Sequence, residues 1–206
     1  MCGRFTLTKP GALRAAFPYL KFPELREFSE TGLPRFNIAP SQEVLGVRND
    51  GRDTVEALRW GVRGRINIRA ESILARRGGV RRRCVEFADG FYEWKDRRPY
   101  YYTLRSGEPF AFAGLWEPLD GTAACDVVTC EPNAAVAPIH DRMPVMLTGD
   151  KVALWLDPEP LPPEVAGSLL TPFDPALMTV REVSTRVNNA NYDAADVLAD
   201  AAPRLL

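Results

Sequence analysis

The sequence predicts an α+β fold: a mainly antiparallel sheet, curled or barrel-like, with a few short helices. Three observations predict it. Short apolar and aromatic segments recur with turn residues between them, the pattern of a many-stranded antiparallel fold. Asn49-Asp50-Gly51 lies between two such segments and signals a hairpin. Stretches with helical periodicity are brief and stop at glycine or proline. With 206 residues, 46% of them hydrophobic, one domain spanning 1–206 can bury a core without disulfides or metal.

In chain order, residues 3–8 alternate around Phe5 and Leu7 and read as a strand. Residues 11–20 and 23–28 read as short helices in a proline-punctuated stretch. Residues 43–48 and 55–62 are the arms of the hairpin, and residues 70–77 a helix stopped by Gly78-Gly79. Residues 84–94, 100–104 and 110–116 are strands rich in aromatics. Further strands are expected at 125–130, 145–147 and 178–183, and a helix at 163–170. Eighteen prolines suit long ordered loops.

Composition excludes several classes. No apolar run approaches the ~20 residues that cross a bilayer as a helix. The start, Met1-Cys2-Gly3-Arg4-Phe5, has no signal-peptide stretch. A cytoplasmic, nucleoid-associated protein is therefore expected. Four cysteines (Cys2, Cys84, Cys125 and Cys130) give no disulfide framework at this size. His140 is the single histidine, and the Cys125–Cys130 spacing suits no zinc knuckle, so no metal and no cofactor are expected. The net charge of −1 conceals an asymmetry. Residues 59–83 hold nine arginines against one acid, Glu71, a local +8, whereas 150–206 carry −5. Such a segment is either a solvated loop or a phosphate-recognition surface, and the absence of lysine favours the guanidinium fork and phosphate.

Four residues can carry chemistry. Removing Met1 would leave Cys2 with a free α-amine beside a thiol. That amine, with a reference pKa of ~7.7–8.0, is partly neutral near physiological pH. It can condense with an aldehyde, and the thiol can then close a five-membered thiazolidine with the advantage of intramolecularity. Glu93 is an acid inside an aromatic strand, Gly90-Phe91-Tyr92-Glu93-Trp94-Lys95. It either turns to solvent or sits in a cleft, where burial raises its pKa and suits proton transfer. His140 stands beside Asp141 and Arg142. Asn67 lies at a strand-to-helix transition, where the plain alternative is a helix cap.

Taken together these segments resemble the SOS response-associated peptidase family of abasic-site processing proteins. The likeness rests on Met1-Cys2-Gly3-Arg4-Phe5, Phe36-Asn37-Ile38-Ala39-Pro40, Arg59-Trp60-Gly61, Asn67-Ile68-Arg69-Ala70-Glu71, Arg82-Arg83-Cys84, the Gly90–Lys95 strand, Phe112–Glu117, Ile139-His140-Asp141-Arg142-Met143-Pro144 and Arg186-Val187-Asn188-Asn189. They appear in the family's order across nearly the whole chain. The resemblance implies binding of single-stranded DNA and a covalent link to abasic sites through Cys2. In those terms Cys2 is the nucleophile, Asn67 positions the reacting N-terminus, Glu93 is the acid/base and His140 assists the sugar chemistry. It further implies DNA contacts from Arg4, Asn37, Pro40, Trp60, Arg69, Arg76, Arg77 and Trp94, a partner of single-stranded DNA with abasic sites, and a monomer. The family name implies a peptidase-like removal of Met1. Three features depart from the family's pattern: only Val62–Ile66 separate Gly61 from Asn67, where a longer loop is usual; Ile68 stands where alanine is commoner; and Val85-Glu86-Phe87 replaces a Val-Pro pattern. The competing classes are a cysteine peptidase acting on other proteins and a non-catalytic single-strand binder.

Overall fold

The structure is a computed structural model and describes residues 2–23, 34–75 and 79–201. The strands are β1 (Phe5–Leu7), β2 (Arg35–Ile38), β3 (Glu43–Arg48), β4 (Glu56–Trp60), β5 (Asn67–Arg69), β6 (Arg83–Ala88) and β7 (Gly90–Lys95). There follow β8 (Arg98–Leu104), β9 (Phe110–Leu119), β10 (Thr122–Cys130), β11 (Met143–Pro144), β12 (Met146–Leu147) and β13 (Met178–Glu182). The α-helices are α1 (Leu13–Ala16), α2 (Ala70–Leu74), α3 (Asp150–Leu156) and α4 (Pro163–Leu169).

Five strands close a barrel in the order β10-β4-β3-β6-β9, because β9 pairs back onto β10. Closure leaves none of these five as an open edge. A second sheet, β13-β8-β7-β1-β2, stays open and is antiparallel throughout. The pairing is mainly antiparallel, as expected, with a parallel stretch in the barrel. β10 pairs in parallel with β4 and then with β5, which takes over the ladder where β4 ends. The short Val62–Ile66 connection makes that handover, and it delivers Asn67 to the sheet beside β10.

The stretch 84–94 is not one strand. It breaks at Asp89, so that β6 belongs to the barrel and β7 to the open sheet. The cause is a contact with the distant N-terminal segment: the Asp89 carboxylate accepts from Thr6 Oγ1 (2.6 Å), Thr8 N (2.6 Å), Thr8 Oγ1 (2.7 Å) and Lys9 N (2.9 Å). Gly90 then passes so close to the Tyr101 ring that a Cβ would lie 2.3 Å from its hydroxyl oxygen. Strand β2 and helix α3 were not among the sequence-predicted elements. The predicted helix at 23–28 lies outside the described residues, apart from Pro23.

Phe5 links the two sheets. Its ring packs 5.0 Å from Trp60 and 5.4 Å from Phe112, both fully buried. Arg83 belongs to this core and not to a basic surface. Its guanidinium donates to four backbone carbonyls, those of Trp155 (2.7 Å), Glu159 (2.7 Å), Val80 and Asp157.

Glu86, the residue that breaks the family's pattern, is fully buried. It fits because Gly114 lies across the ladder: a Cβ there would lie 2.4 Å from the Glu86 carboxylate. Burial pushes the Glu86 carboxyl from 4.5 up to about 8. The folded chain thus holds this proton more tightly than the unfolded chain does. The stability it contributes is full below about pH 4.5 and is lost as pH rises through about 8. The loss is on the order of a few kcal/mol. Denaturant midpoints are expected to fall between about pH 5 and pH 8.5 in the wild type, and by less in Glu86→Gln, where Glu93, another buried carboxyl, raised to about 7, still loses its proton.

Candidate active site at the N-terminus

The open sheet carries the first part of the site. Strand β7 has a two-residue alternation: Phe91 joins the main core, while Tyr92 packs with Tyr101, Val183, Val187 and Val197 in a second cluster that Trp94 flanks. Glu93 shares the side of Phe91 and so enters the space between the sheets. This explains an acid in an aromatic strand: it points inward, with 2% of its surface exposed. Burial raises its carboxyl to about 7.

Cys2 runs into β1, which lies along β7 through the Phe5–Phe91 pairing and the Tyr92 N–H donated to Arg4 O (3.0 Å). The Cys2 side chain is fully buried. Burial first, and the Glu93 charge second, push its thiol well above the ordinary range. The structure encloses the thiol in the core, where its neutral form is favoured.

Asn67 arrives on β5. The Nδ2 group donates to Cys2 O at 2.9 Å, and Oδ1 is buried without a partner among the described residues. The helix-cap alternative does not hold, because Arg69 is the cap residue of α2 and no side chain caps it.

His140 comes from the loop between β10 and β11. The Arg142 N–H lies 3.0 Å from Nδ1, which also faces Arg142 O (3.2 Å) and Asp141 Oδ1 (3.0 Å), so either tautomer of the neutral ring finds a partner. Nε2 lies 4.0 Å from Glu93 Oε2. Burial lowers the His140 pKa, favouring that neutral ring. Sequence reasoning missed Arg142 as a positioning residue. It forks onto Glu71 (2.7 and 2.9 Å) and donates to Thr129 O (2.7 Å), tying the histidine loop to α2 and β10. The signal was present in the acid of the Asn67–Glu71 motif and the base two residues after His140.

The predicted DNA-contact residues divide. Trp94, Arg4 and Gly3 line one cleft of about 510 Å3 together with Arg97 and Asn188. The Arg4 guanidinium lies 5.8 Å from the Trp94 ring centroid and donates to Asn37 Oδ1 and Val187 O, both at 2.8 Å. Arg69 is exposed at the start of α2. Pro40 lies elsewhere, in a cleft with Arg59 and Arg63. Two assignments are corrected. Trp60 is fully buried, with Nε1 donated to Ile66 O (3.1 Å), so it offers no face to a base. Asn37 is fully buried and donates Nδ2 to the carbonyls of Val187, Asn189 and Tyr192, a structural brace. Arg76 and Arg77 lie outside the described residues.

Beside a closed barrel and an open sheet, Asn67 holds the Cys2 carbonyl, the Glu93 charge reaches the Cys2 thiol, and His140 lies 4.0 Å from Glu93. Residues 1–190 match the family described as SOS response associated peptidase (SRAP), and the chain belongs to that family. It is 36% identical to the abasic site processing protein YoaM of Bacillus subtilis, over 96% of this chain and 97% of that one. It is 28% identical to the abasic site processing protein HMCES of Xenopus tropicalis, over 97% of this chain and 78% of that one. A crystal structure of a Bacteroides thetaiotaomicron protein shares the fold, with a TM-score of 0.81, 21% identity, and 98% and 100% of the two chains covered.

Proposed function

We propose that this protein captures abasic sites in single-stranded DNA through Cys2 once Met1 is removed. The relatives named abasic site processing proteins support this reading. The observation that carries it is the convergence on residue 2: Asn67 grips its carbonyl, and the Glu93 charge reaches its thiol.

The abasic deoxyribose is mostly a closed hemiacetal. Neutral His140 assists its opening to the aldehyde. The Cys2 α-amine adds to that aldehyde. Protonated Glu93 gives the departing hydroxyl its proton, water leaves, and a C=N bond remains. The thiol then adds across it: the S–C bond forms, and the thiol proton passes through Glu93 to the nitrogen. The partnerless Asn67 Oδ1 suits the N–H of a freed α-amine. Removal of Met1 by the same site belongs to this reading: the Cys2 thiol attacks the Met1 carbonyl, the Met1–Cys2 amide breaks as its nitrogen takes the thiol proton, and water hydrolyses the resulting thioester to free methionine and restore the thiol.

Intact mass of the purified protein, before and after incubation with an abasic oligonucleotide, tests the reading. Loss of Met1 and then a denaturation-resistant adduct are expected; an unmodified mass after incubation overturns it. Non-covalent binding to an intact strand is expected to be weak and to fall steeply with salt. Arg69→Ala should lower the slope of log affinity against log salt by about 0.7, one phosphate's worth. A slope equal to the wild type's removes Arg69 from the interface.

A further inference from the structure

A cleft of about 530 Å3 opens on the barrel between β9, β10, α2 and the segment 79–82. It is separate from the Cys2 site. Ile68 lines it, whereas Asn67, the preceding residue of β5, holds the Cys2 carbonyl (2.9 Å), and neighbours along a strand face opposite sides. The inner wall is built by the short connection that departs from the family's pattern. Arg63 (φ +50°) and Gly64 (φ +84°) make a tight turn, across which Val62 and Arg65 exchange backbone hydrogen bonds (2.7 and 2.9 Å). That turn lays Arg65 against β10 and β9, where Nε donates to Asp126 Oδ2 (2.7 Å) and Nη2 to Glu117 Oε1 (3.1 Å).

Asp126 lines the cleft with 1% of its side chain exposed. Its Oδ1 is buried and has no hydrogen-bond partner among the described residues. The Val62 N–H, which favours the charged carboxylate, is already donated to Arg65 O (2.7 Å). A buried acceptor left in this state costs stability until a donor meets it. Arg65 Nη1 likewise makes no hydrogen bond among the described residues. One end of the cleft therefore offers an acceptor beside a donor. The other end offers charge. Val80 is fixed by its N–H donated to Leu161 O (2.9 Å), and Arg83 by its backbone carbonyl partners. Between them Arg81 and Arg82 are exposed, with no ion pair among the described residues. Arg82 holds left-handed backbone (φ +50°), strain of a kind that clusters at ligand sites, and its guanidinium lies 5.9 Å from the Trp116 ring centroid. Leu115 pairs with Arg83 on one side and Asp126 on the other, so two strand spacings, about 10 Å, separate Asp126 from the arginine segment.

We propose that this cleft binds a free nucleoside monophosphate whose base presents an amine beside a ring-nitrogen acceptor, as cytosine and adenine do. The amine donates to Asp126 Oδ1, and Arg65 Nη1 donates to the ring nitrogen. The base lies against Ile68, Ile73 and Leu115, and the phosphate takes the guanidinium forks of Arg81 and Arg82. Uracil and hypoxanthine fit badly, because each turns a carbonyl oxygen to the carboxylate and an N–H to the guanidinium. The occupant is a separate molecule and not the captured strand, since the cleft lies behind the face of β5 that holds Cys2. The volume falls in the ~300–1,000 Å3 range of small-molecule sites. The assignment does not depend on capture of abasic DNA.

Calorimetric titration at low salt tests it with two isosteric pairs: deoxycytidine against deoxyuridine monophosphate, and deoxyadenosine against deoxyinosine monophosphate. In at least one pair the amino member is expected to bind below about 1 mM and at least about 10-fold more tightly than its isostere. Arg81→Gln should weaken that binding about 5–10-fold and leave the ratio within the pair unchanged. Asp126→Asn should erase the ratio, because an amide can turn either its oxygen or its nitrogen to the base. No binding of either amino nucleotide up to about 1 mM overturns the site. Equal binding within both pairs, or equal binding of inorganic phosphate, overturns the base recognition. Unchanged affinity in Arg81→Gln removes the phosphate from the arginine segment. Displacement of the nucleotide by an intact single strand gives the cleft to the strand and overturns the free ligand. A folded Asp126→Asn that keeps the ratio removes Asp126 from the contact; if that variant fails to fold, the wild-type ratios and Arg81→Gln decide.

Discussion

A chain carrying an extra N-terminal residue that resists removal is expected to form no heat-stable adduct with an abasic strand, while the chain freed of Met1 forms one. With a residue attached, the Cys2 nitrogen is an amide whose lone pair is delocalised into the carbonyl. It cannot form a Schiff base. The thiol alone gives a reversible hemithioacetal, and here burial holds that thiol protonated. Cys2→Ser separates the two functional groups. Its α-amine survives and can form a Schiff base, but oxygen closes to a more labile ring, so heat-stable yield is expected to collapse. Denaturing gels after heating, with and without borohydride, read both products. Heat-stable cross-linking at the wild-type rate by the blocked chain would show that the α-amine is not the nucleophile.

Glu93→Gln is expected to slow adduct formation by about 10²–10⁴-fold, the usual contribution of a general acid or base. Its effect on binding should be small, because glutamine keeps the size and shape of the side chain. The pH dependence gives the sign. Glu93 titrates at about 7 because burial disfavours its charged form. Where loss of water limits the rate, the protonated form is the active one, and the rate falls as pH rises through about 7. Glutamine lacks that limb, leaving only the rise as the amine loses its proton near pH ~8. Single-turnover rates from pH 5.5 to 9 measure this. Equal losses of rate and binding in Glu93→Gln would count against its catalytic role.

The residues of the candidate site were legible because each is chemically conspicuous where it stands. Cys2 is one cleavage from a 1,2-aminothiol, Glu93 interrupts an aromatic strand, and His140 has no competitor in the chain. The many-stranded fold was legible because alternation and turn residues act over a few positions. The arginine segment was less so. Its nine members carry the same formal charge, yet Arg83 is spent on backbone carbonyls and Arg65 on Asp126 (2.7 Å), while Arg69 stays exposed. Charge is a property of the residue, whereas availability depends on which acceptors the fold brings within reach.

The same distinction separates Trp60 from Trp94. Both read as aromatic platforms, but period-2 alternation along β4 does not say which face the barrel will enclose. Closure of β9 onto β10 put Trp60 inside with Phe5, and the open sheet left Trp94 at a cleft. Residue types and local periodicity thus singled out Cys2, Asn67, Glu93 and His140 and set the presence of the strands. The break at Asp89, the parallel handover from β4 to β5 and the burial of the Cys2 thiol arise from contacts between segments tens of residues apart. Such contacts pair groups that no local pattern relates, and only the packed chain selects among them.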